Sequence, residues 1–311
     1  MSDSPHDDVP TERLTVRSRI LKVPNLKLIQ KIGDGGMSTV WKAWDIPNQR
    51  LVAVKILNRQ FASDGAEVRQ FRTEERIMEE IRHPGIVQAY DFDNGNGNWY
   101  YIMEYVDGYT FADLLSRKQH VSETDCLLIC ESVANALDYA WNDHGVVHCD
   151  IKPENIMADR DGTVKLLDLG LCHTSNAFGP GDNPDEVVGT PAYISPEQVL
   201  GVADIDCRAD IYSLGATLYH LCTGRTLFPL MSNDDILRAH VDPKSRAPDP
   251  RRIVPALSQG FARLVARMLV KDRDLRPRTW IDVYNAAKAV EDGASLQPLP
   301  QGCASSSSLD D

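Results

Sequence analysis

The chain has 311 residues, 42% of them hydrophobic and 25% charged, enough apolar mass to bury a sizeable core. Its formal net charge of -12 argues against nucleic acid or an anionic membrane as the main partner, and no run approaches the roughly 20 apolar residues that span a bilayer. Seven cysteines without a Cys-x-x-Cys pair point to reduced thiols rather than a disulfide framework or a zinc site. Cys126 and Cys130, one helical turn apart, read as packing residues. Met1-Ser2-Asp3-Ser4-Pro5 lacks a signal-peptide pattern, so a cytoplasmic location without membrane insertion is expected. Residues 1–25 are polar and punctuated by proline, and residues 293–311 contain Ser305 to Ser308 and a terminal Asp pair; both are expected to be flexible tails. One folded unit is left between them, over residues 26–292.

In chain order, the first element is an extended apolar stretch that runs into Ile32, Gly33, Asp34, Gly35, Gly36, Met37, Ser38, Thr39 and Val40, and a second apolar run starts at Trp41. The pattern is a strand, a glycine turn and a strand. Glycines let a backbone approach a phosphate and donate N–H groups to it with no Cβ in the way. No Gly-Lys-Ser/Thr follows, which excludes a Walker-type loop. Next comes Leu51 to Leu57, a strand with the composition of one buried on both faces, yet it contains Lys55. A buried ammonium needs partners. Alternation puts Lys55 on the face of Ala53, whose small side chain leaves room for a flat ring.

Residues 66–82 form a charged helix with Val68, Phe71, Met78 and Ile81 in an apolar stripe. Glu74 falls within that stripe and is the carboxylate expected to meet Lys55. Glu75, Glu79 and Glu80 are expected to be solvated surface charges. After an Asn/Gly turn at residues 94–98, Trp99 to Val106 reads as a core strand that breaks at Gly108.

Residues 148–170 carry the densest chemistry. His148-Cys149-Asp150-Ile151-Lys152-Pro153-Glu154-Asn155 is followed, 13 residues after Asn155, by Asp168-Leu169-Gly170. A carboxylate that can accept a proton, an ammonium, and an Asn/Asp pair suited to hard divalent cations are what phosphoryl transfer to a hydroxyl requires. The segment resembles the catalytic loop and metal-binding triplet of eukaryotic-like (Hanks-type) serine/threonine protein kinases, with Cys149 and Leu169 in place of the usual Arg and Phe. The upstream loop is similar to the kinase glycine-rich loop, with Ser38 where a third glycine is usual. The resemblance runs from about Leu26 to Val290 and is nearest to bacterial members.

That resemblance implies an α+β, bilobal fold, with a small β-rich N-lobe over about 26–105 and a larger helical C-lobe over about 107–292. It implies an ATP- and Mg²⁺-dependent enzyme that phosphorylates serine and threonine in protein substrates. Lys55 would hold the nucleotide phosphates and pair with Glu74. Backbone groups near Glu104 and Val106 would bind the adenine edge, with Met103 behind it. Asp150 and Lys152 would act on the transferred group, and Asn155 and Asp168 would hold the metal. Residues 168–197 are similar to an activation segment. Within it, Thr190 would bridge Asp150 and Lys152, and Glu197 would pair with Arg276. Asp210, near the start of a large central helix, would hold the catalytic-loop backbone.

Cys149 removes the cation on which a phosphorylated activation loop usually docks, so activity independent of that phosphorylation is expected, although Thr174 and Ser175 are present. A redox pairing of Cys149 with Cys172 is a further possibility. Two other readings compete: a scaffold that binds nucleotide without turnover, disfavoured by the retained charged residues, and a small-molecule kinase, which would not need the platform from Thr190 to Glu197.

Overall fold

The computed structural model describes residues 23–62, 65–95, 97–169, 190–294 and 296. The N-lobe is built on a five-stranded antiparallel sheet in the order β1-β2-β3-β5-β4, comprising β1 (Leu26–Asp34), β2 (Ser38–Asp45), β3 (Arg50–Leu57), β4 (Ala89–Gly95) and β5 (Asn98–Glu104). β3 is central because it can be buried on both faces. Val52, Val54 and Ile56 join one apolar cluster with Ala43 and Tyr100, whereas Ala53 and Leu57 join the main core. Alternation then forces Lys55 onto the Ala53 face. The pairing register sets Lys55 opposite Tyr101 and Ala53 opposite Met103.

The charged helix is α1 (Gly65–Glu80), shorter at its C-terminal end than the expected 66–82. Pro84 follows closely, and the residue before a proline is disfavoured in the helical region. Phe71 and Met78 of α1 are buried in the main core cluster, together with Leu169, which takes the place of the usual Phe in the triplet.

The C-lobe begins with β6 (Gly108–Thr110), which forms a three-stranded sheet with β7 (Ile156–Asp159) and β8 (Val164–Leu166). α2 (Phe111–Arg117) and α3 (Glu123–His144) follow β6; Ser122 caps α3, and Gly145 ends it at φ 65°, where a left-handed residue is required. After the short α4 (Pro196–Val199) comes α5 (Cys207–Thr223), which is buried along almost its whole length and is capped by Asp206. Around it stand α6 (Asn233–Val241), α7 (Gln259–Met268) and α8 (Trp280–Glu291). α5 packs tightly on α7 at Gly215, where a Cβ would lie 2.8 Å from Cβ of Met268.

The lobes join through backbone. Ile86 bridges to Leu166, and Val87 donates to the Leu166 carbonyl at 3.0 Å, which ties the loop after α1 to β8. Among the described residues, no helix is long and apolar enough to cross a membrane. Cys172, Thr174 and Ser175 lie outside the described residues, as do most of the expected tails. Cys126, Cys130, Cys207 and Cys222 are buried free thiols, as the sequence implies. Cys149 is the exception, being disulfide-bonded, and it corrects the expectation of reduced thiols throughout. A cysteine count says nothing about which sulfurs the fold brings within bonding distance.

Candidate active site

Lys55 is the hub of the small-lobe side. Its Nζ lies 2.5 Å from Oε1 of Glu74 and 3.0 Å from Oδ1 of Asp168. Burial works against its ammonium, but the two carboxylates outweigh that cost and raise its pKa above the ordinary lysine value. Glu74 reaches this point because it shares the inward stripe of α1 with Phe71 and Met78. Its Oε1 also accepts a hydrogen bond from the Tyr101 hydroxyl at 2.7 Å. Burial, then the Glu74 charge, pushes the Tyr101 phenol well above its usual pKa, so it stays a donor.

The glycine loop closes above β2 and β3. The Gly35 N–H donates to the Ser38 carbonyl at 2.9 Å, and the Asn58 side chain donates to the Gly36 carbonyl at 3.1 Å. Val40 pairs with both Gly33 and Lys55 across the two ladders, which joins the loop to the lysine. A Cβ at Gly33 would lie 3.3 Å from Cβ of Val40, so the close packing favours glycine there. Ile32, Asp34, Gly35 and Gly36 are exposed, Met37 and Thr39 half-buried, and Ser38 buried. Ala53, Met103 and Val106 are buried beside this loop's sheet. The Glu104 N–H donates to the Gln88 carbonyl at 2.9 Å, and the Glu104 carboxylate pairs with Lys165 at 2.8 Å.

On the large-lobe side, three residues contact one another directly. Lys152 Nζ lies 2.5 Å from Oδ2 of Asp150 and donates to the Thr190 hydroxyl at 2.8 Å, and that hydroxyl donates to Oδ1 of Asp150 at 2.8 Å. Asn155 donates through Nδ2 to the carbonyl and Oδ2 of Asp150 at 2.9 and 3.1 Å. Its amide oxygen is then left for another partner.

Among the described residues, no three His, Cys, Asp or Glu side chains stand together as a metal site. The donor set that fits magnesium is therefore the Asn155 amide oxygen with the Asp168 carboxylate, both hard oxygen ligands. Asp168 adopts φ 51°, a conformation that Asp tolerates better than most residues.

The catalytic segment hangs from α5. Asp210 accepts from the N–H groups of His148 and Cys149 at 2.6 and 2.7 Å, and Thr217 donates to the Ile151 carbonyl at 3.1 Å. Burial pushes the Asp210 carboxyl up to about 6, against the opposing pull of His148 and the two N–H groups. Cys149 is held at φ 61° with its carbonyl accepting from Gln198 at 2.9 Å. Glu197 and Arg276 form a buried two-pronged pair at 2.6 and 2.8 Å. Arg276 also donates to the carbonyls of Val270, Arg208 and Lys271.

Every expected pairing among described residues is thus present: Lys55 with Glu74, Thr190 with Asp150 and Lys152, Glu197 with Arg276, and Asp210 with the 148–149 backbone. One expectation about the charges of α1 fails. Glu75 is 4% exposed rather than solvated. It stands four residues after Phe71 and three before Met78, so it belongs to the same stripe as Glu74, and burial followed by the Glu79 and Asp91 charges raises its pKa. The hydroxyl of Tyr101 is a site contact that the sequence reading passed over. Its position directly across from Lys55 was available from strand alternation once the β3–β5 pairing was known. Gln198 and Thr217 act on carbonyls far away in sequence, and no local pattern marks them.

A family model described as "Protein kinase domain" matches residues 26–287. Among curated proteins, the chain is 36% identical over 263 residues to the probable serine/threonine-protein kinase PknB of Bifidobacterium longum, which covers 81% of this chain and 38% of that protein. It is 32% identical over 285 residues to the serine/threonine-protein kinase PrkC of Bacillus subtilis, covering 92% of this chain and 42% of PrkC. The chain therefore spans about two fifths of the length of these relatives. Among solved structures, the PknI kinase domain of Mycobacterium tuberculosis superposes with a TM-score of 0.65 at 24% identity, over 86% of this chain and 97% of that one. At that identity the likeness speaks for the fold.

Proposed function

This chain belongs to the protein kinase domain family, and from that premise we propose that it transfers the γ-phosphoryl group of ATP to serine and threonine hydroxyls of proteins, using residues 26–292 as the functional unit. Chief support comes from the mutual contacts of Asp150, Lys152 and Thr190, at 2.5 to 2.8 Å. Thr190 is part of a peptide platform that a small-molecule kinase would not need.

In this account the glycine loop from Ile32 to Val40 lies over the nucleotide, and Lys55, anchored by Glu74, holds its phosphates. Ala53 and Met103 flank the adenine, whose edge meets the backbone at Glu104 and Val106. Asp150 orients the substrate hydroxyl and takes up its proton, while Lys152 offsets charge on the transferred group. Asn155 and Asp168 would hold magnesium, which supplies charge neutralisation on the phosphates when bound. Phosphoryl transfer has a loose transition state, so positioning and electrostatics carry most of the rate. ATP as donor fits a cytoplasmic location.

Activity does not depend on activation-segment phosphorylation in this account. Position 149 offers no cation: Cys149 is 2% exposed, its N–H is spent on Asp210 and its carbonyl on Gln198. The test is transfer of labelled phosphate from ATP and Mg²⁺ to a generic Ser/Thr protein, before and after phosphatase treatment of the chain. The expected result is phosphoserine or phosphothreonine in equal yield from both samples. Loss after phosphatase, recovered on autophosphorylation, would end the independence claim. Nucleotide binding with no transfer would favour a scaffold.

A further inference from the structure

A cavity of about 230 Å³ lies in the helical lobe and shares no lining residue with the cleft around Lys55, Asp150 and Asp168. α5 and α7 contribute Tyr212, Tyr219 and Ala266 to its lining, and the connections around α6 and after α7 contribute Phe228, Arg246 and Lys271. An apolar protein cavity of about 150 Å³ holds benzene. This one has room for a fused two-ring group, and aromatic walls favour an aromatic occupant.

One end of the cavity is cationic. The Lys271 ammonium donates to the carbonyls of Ala239 and Asp242, which take two of its three protons. It also lies 5.8 Å from the centroid of the Phe228 ring. The lining carboxylates are engaged elsewhere. Asp249 pairs with Arg251 at 2.7 Å, and Asp272 accepts from the N–H of Asp274 at 3.0 Å as a cap. We propose that this cavity binds a small aromatic carboxylate, its rings among Tyr212, Tyr219 and Phe228 and its carboxylate toward Lys271.

Two of the cavity walls also touch His240. The Tyr212 hydroxyl is 2.9 Å from Nδ1 of His240, and the Phe228 ring meets the imidazole edge-on with centroids 5.1 Å apart. The other ring nitrogen, Nε2, is 2.9 Å from the carbonyl oxygen of Pro191. That carbonyl can only accept, so Nε2 carries the proton and Nδ1 accepts from Tyr212. Pro191 follows Thr190 directly. An occupant that shifts Tyr212 or Phe228 therefore acts, through His240, on the segment that carries Thr190. Its effect falls on KM for the protein substrate and leaves KM for ATP unchanged, a consequence that rests on the kinase function proposed above; binding itself does not.

The experiment titrates the full chain with 2-naphthoate, followed by naphthalene fluorescence, with the cleft saturated by ADP and Mg²⁺. Saturable binding that ADP leaves unchanged is expected, weaker for the neutral 2-naphthamide and lost in Ala266→Trp and Ala247→Trp, which fill the cavity from half-buried positions. In the phosphotransfer assay, 2-naphthoate is expected to shift the protein-substrate KM severalfold, and Ala266→Trp to lose that shift. No saturable binding, competition by ADP, or equal binding by both Trp variants overturns the site. Binding without a KM shift in an active chain overturns the coupling to Thr190. Intact binding in a chain that transfers no phosphate supports the site while failing the kinase function.

Discussion

Glu74 is a buried carboxylate whose single oxygen Oε1 serves both the Lys55 ammonium and the Tyr101 hydroxyl. Removing the hydroxyl strips a hydrogen bond from a charged, buried acceptor, which costs about 2 kcal/mol. Tyr101→Phe is therefore expected to lower unfolding free energy by about that amount in urea, and unchanged stability would mean that the contact contributes nothing.

His240 gives a pH signature. Burial depresses its pKa from 6.5 to about 4. A depressed imidazole contributes stability that is complete above 6.5 and lost as pH falls through 4, about 3 kcal/mol at most. Asp210 runs the other way: its carboxyl is raised from 3.8 to about 6, so its contribution is complete below 3.8 and lost as pH rises through 6. The two offset each other in one window, and only a difference isolates either. The stability of the unmodified chain minus that of His240→Gln should fall as pH drops from 7 to 4; a flat difference contradicts the assignment.

At this scale the sequence was informative wherever a charge broke an apolar pattern, as at Lys55 and Glu74. It misled at Glu75, where helical geometry places a second glutamate on the inward stripe.

At the scale of elements, α5 is the post from which the catalytic segment hangs, through Asp210 and Thr217. Its fit against α7 depends on Gly215. An alanine there would gain about 1 kcal/mol of helix propensity, but its Cβ would lie 2.8 Å from Cβ of Met268. Neither atom is the end of a flexible chain, so overpacking of about 1–3 kcal/mol prevails. Gly215→Ala is expected to melt at a lower temperature; a rise would show that the helices separate without cost.

The Glu197–Arg276 pair sets a larger stake, because Arg276 also holds three backbone carbonyls. Arg276→Met leaves a buried carboxylate unpaired and is expected to cost about 3–5 kcal/mol in urea unfolding. The start of α5 near Asp210 was expected from family resemblance, whereas its cap, Asp206, came only with the structure. Its attachment to residues 148–151 spans some 60 positions in sequence, and before the fold was known it rested on family resemblance alone.

For the whole molecule, the contact at 3.0 Å between Lys55 and Asp168 carries the site across both lobes. Motif order carried the family resemblance, and that resemblance made the two-lobed plan legible: a glycine loop, a buried lysine, an inward glutamate and the 148–169 segment follow one another in the chain. The C-lobe cavity was not legible. Its walls come from α5, α7 and the loops around them, and none of these segments carries a local pattern that marks a pocket.

The central claim is that Asp150 and Lys55 act in phosphoryl transfer rather than merely bracing the cleft. The measurement is the rate of labelled phosphate transfer from ATP with Mg²⁺ to a Ser/Thr protein, comparing the unmodified chain with Asp150→Asn and Lys55→Met, each checked for folding by urea titration. The account predicts a loss of about a hundredfold or more in both, with Asp150→Asn still binding nucleotide as the unmodified chain does. Transfer at an undiminished rate in folded Asp150→Asn would contradict it.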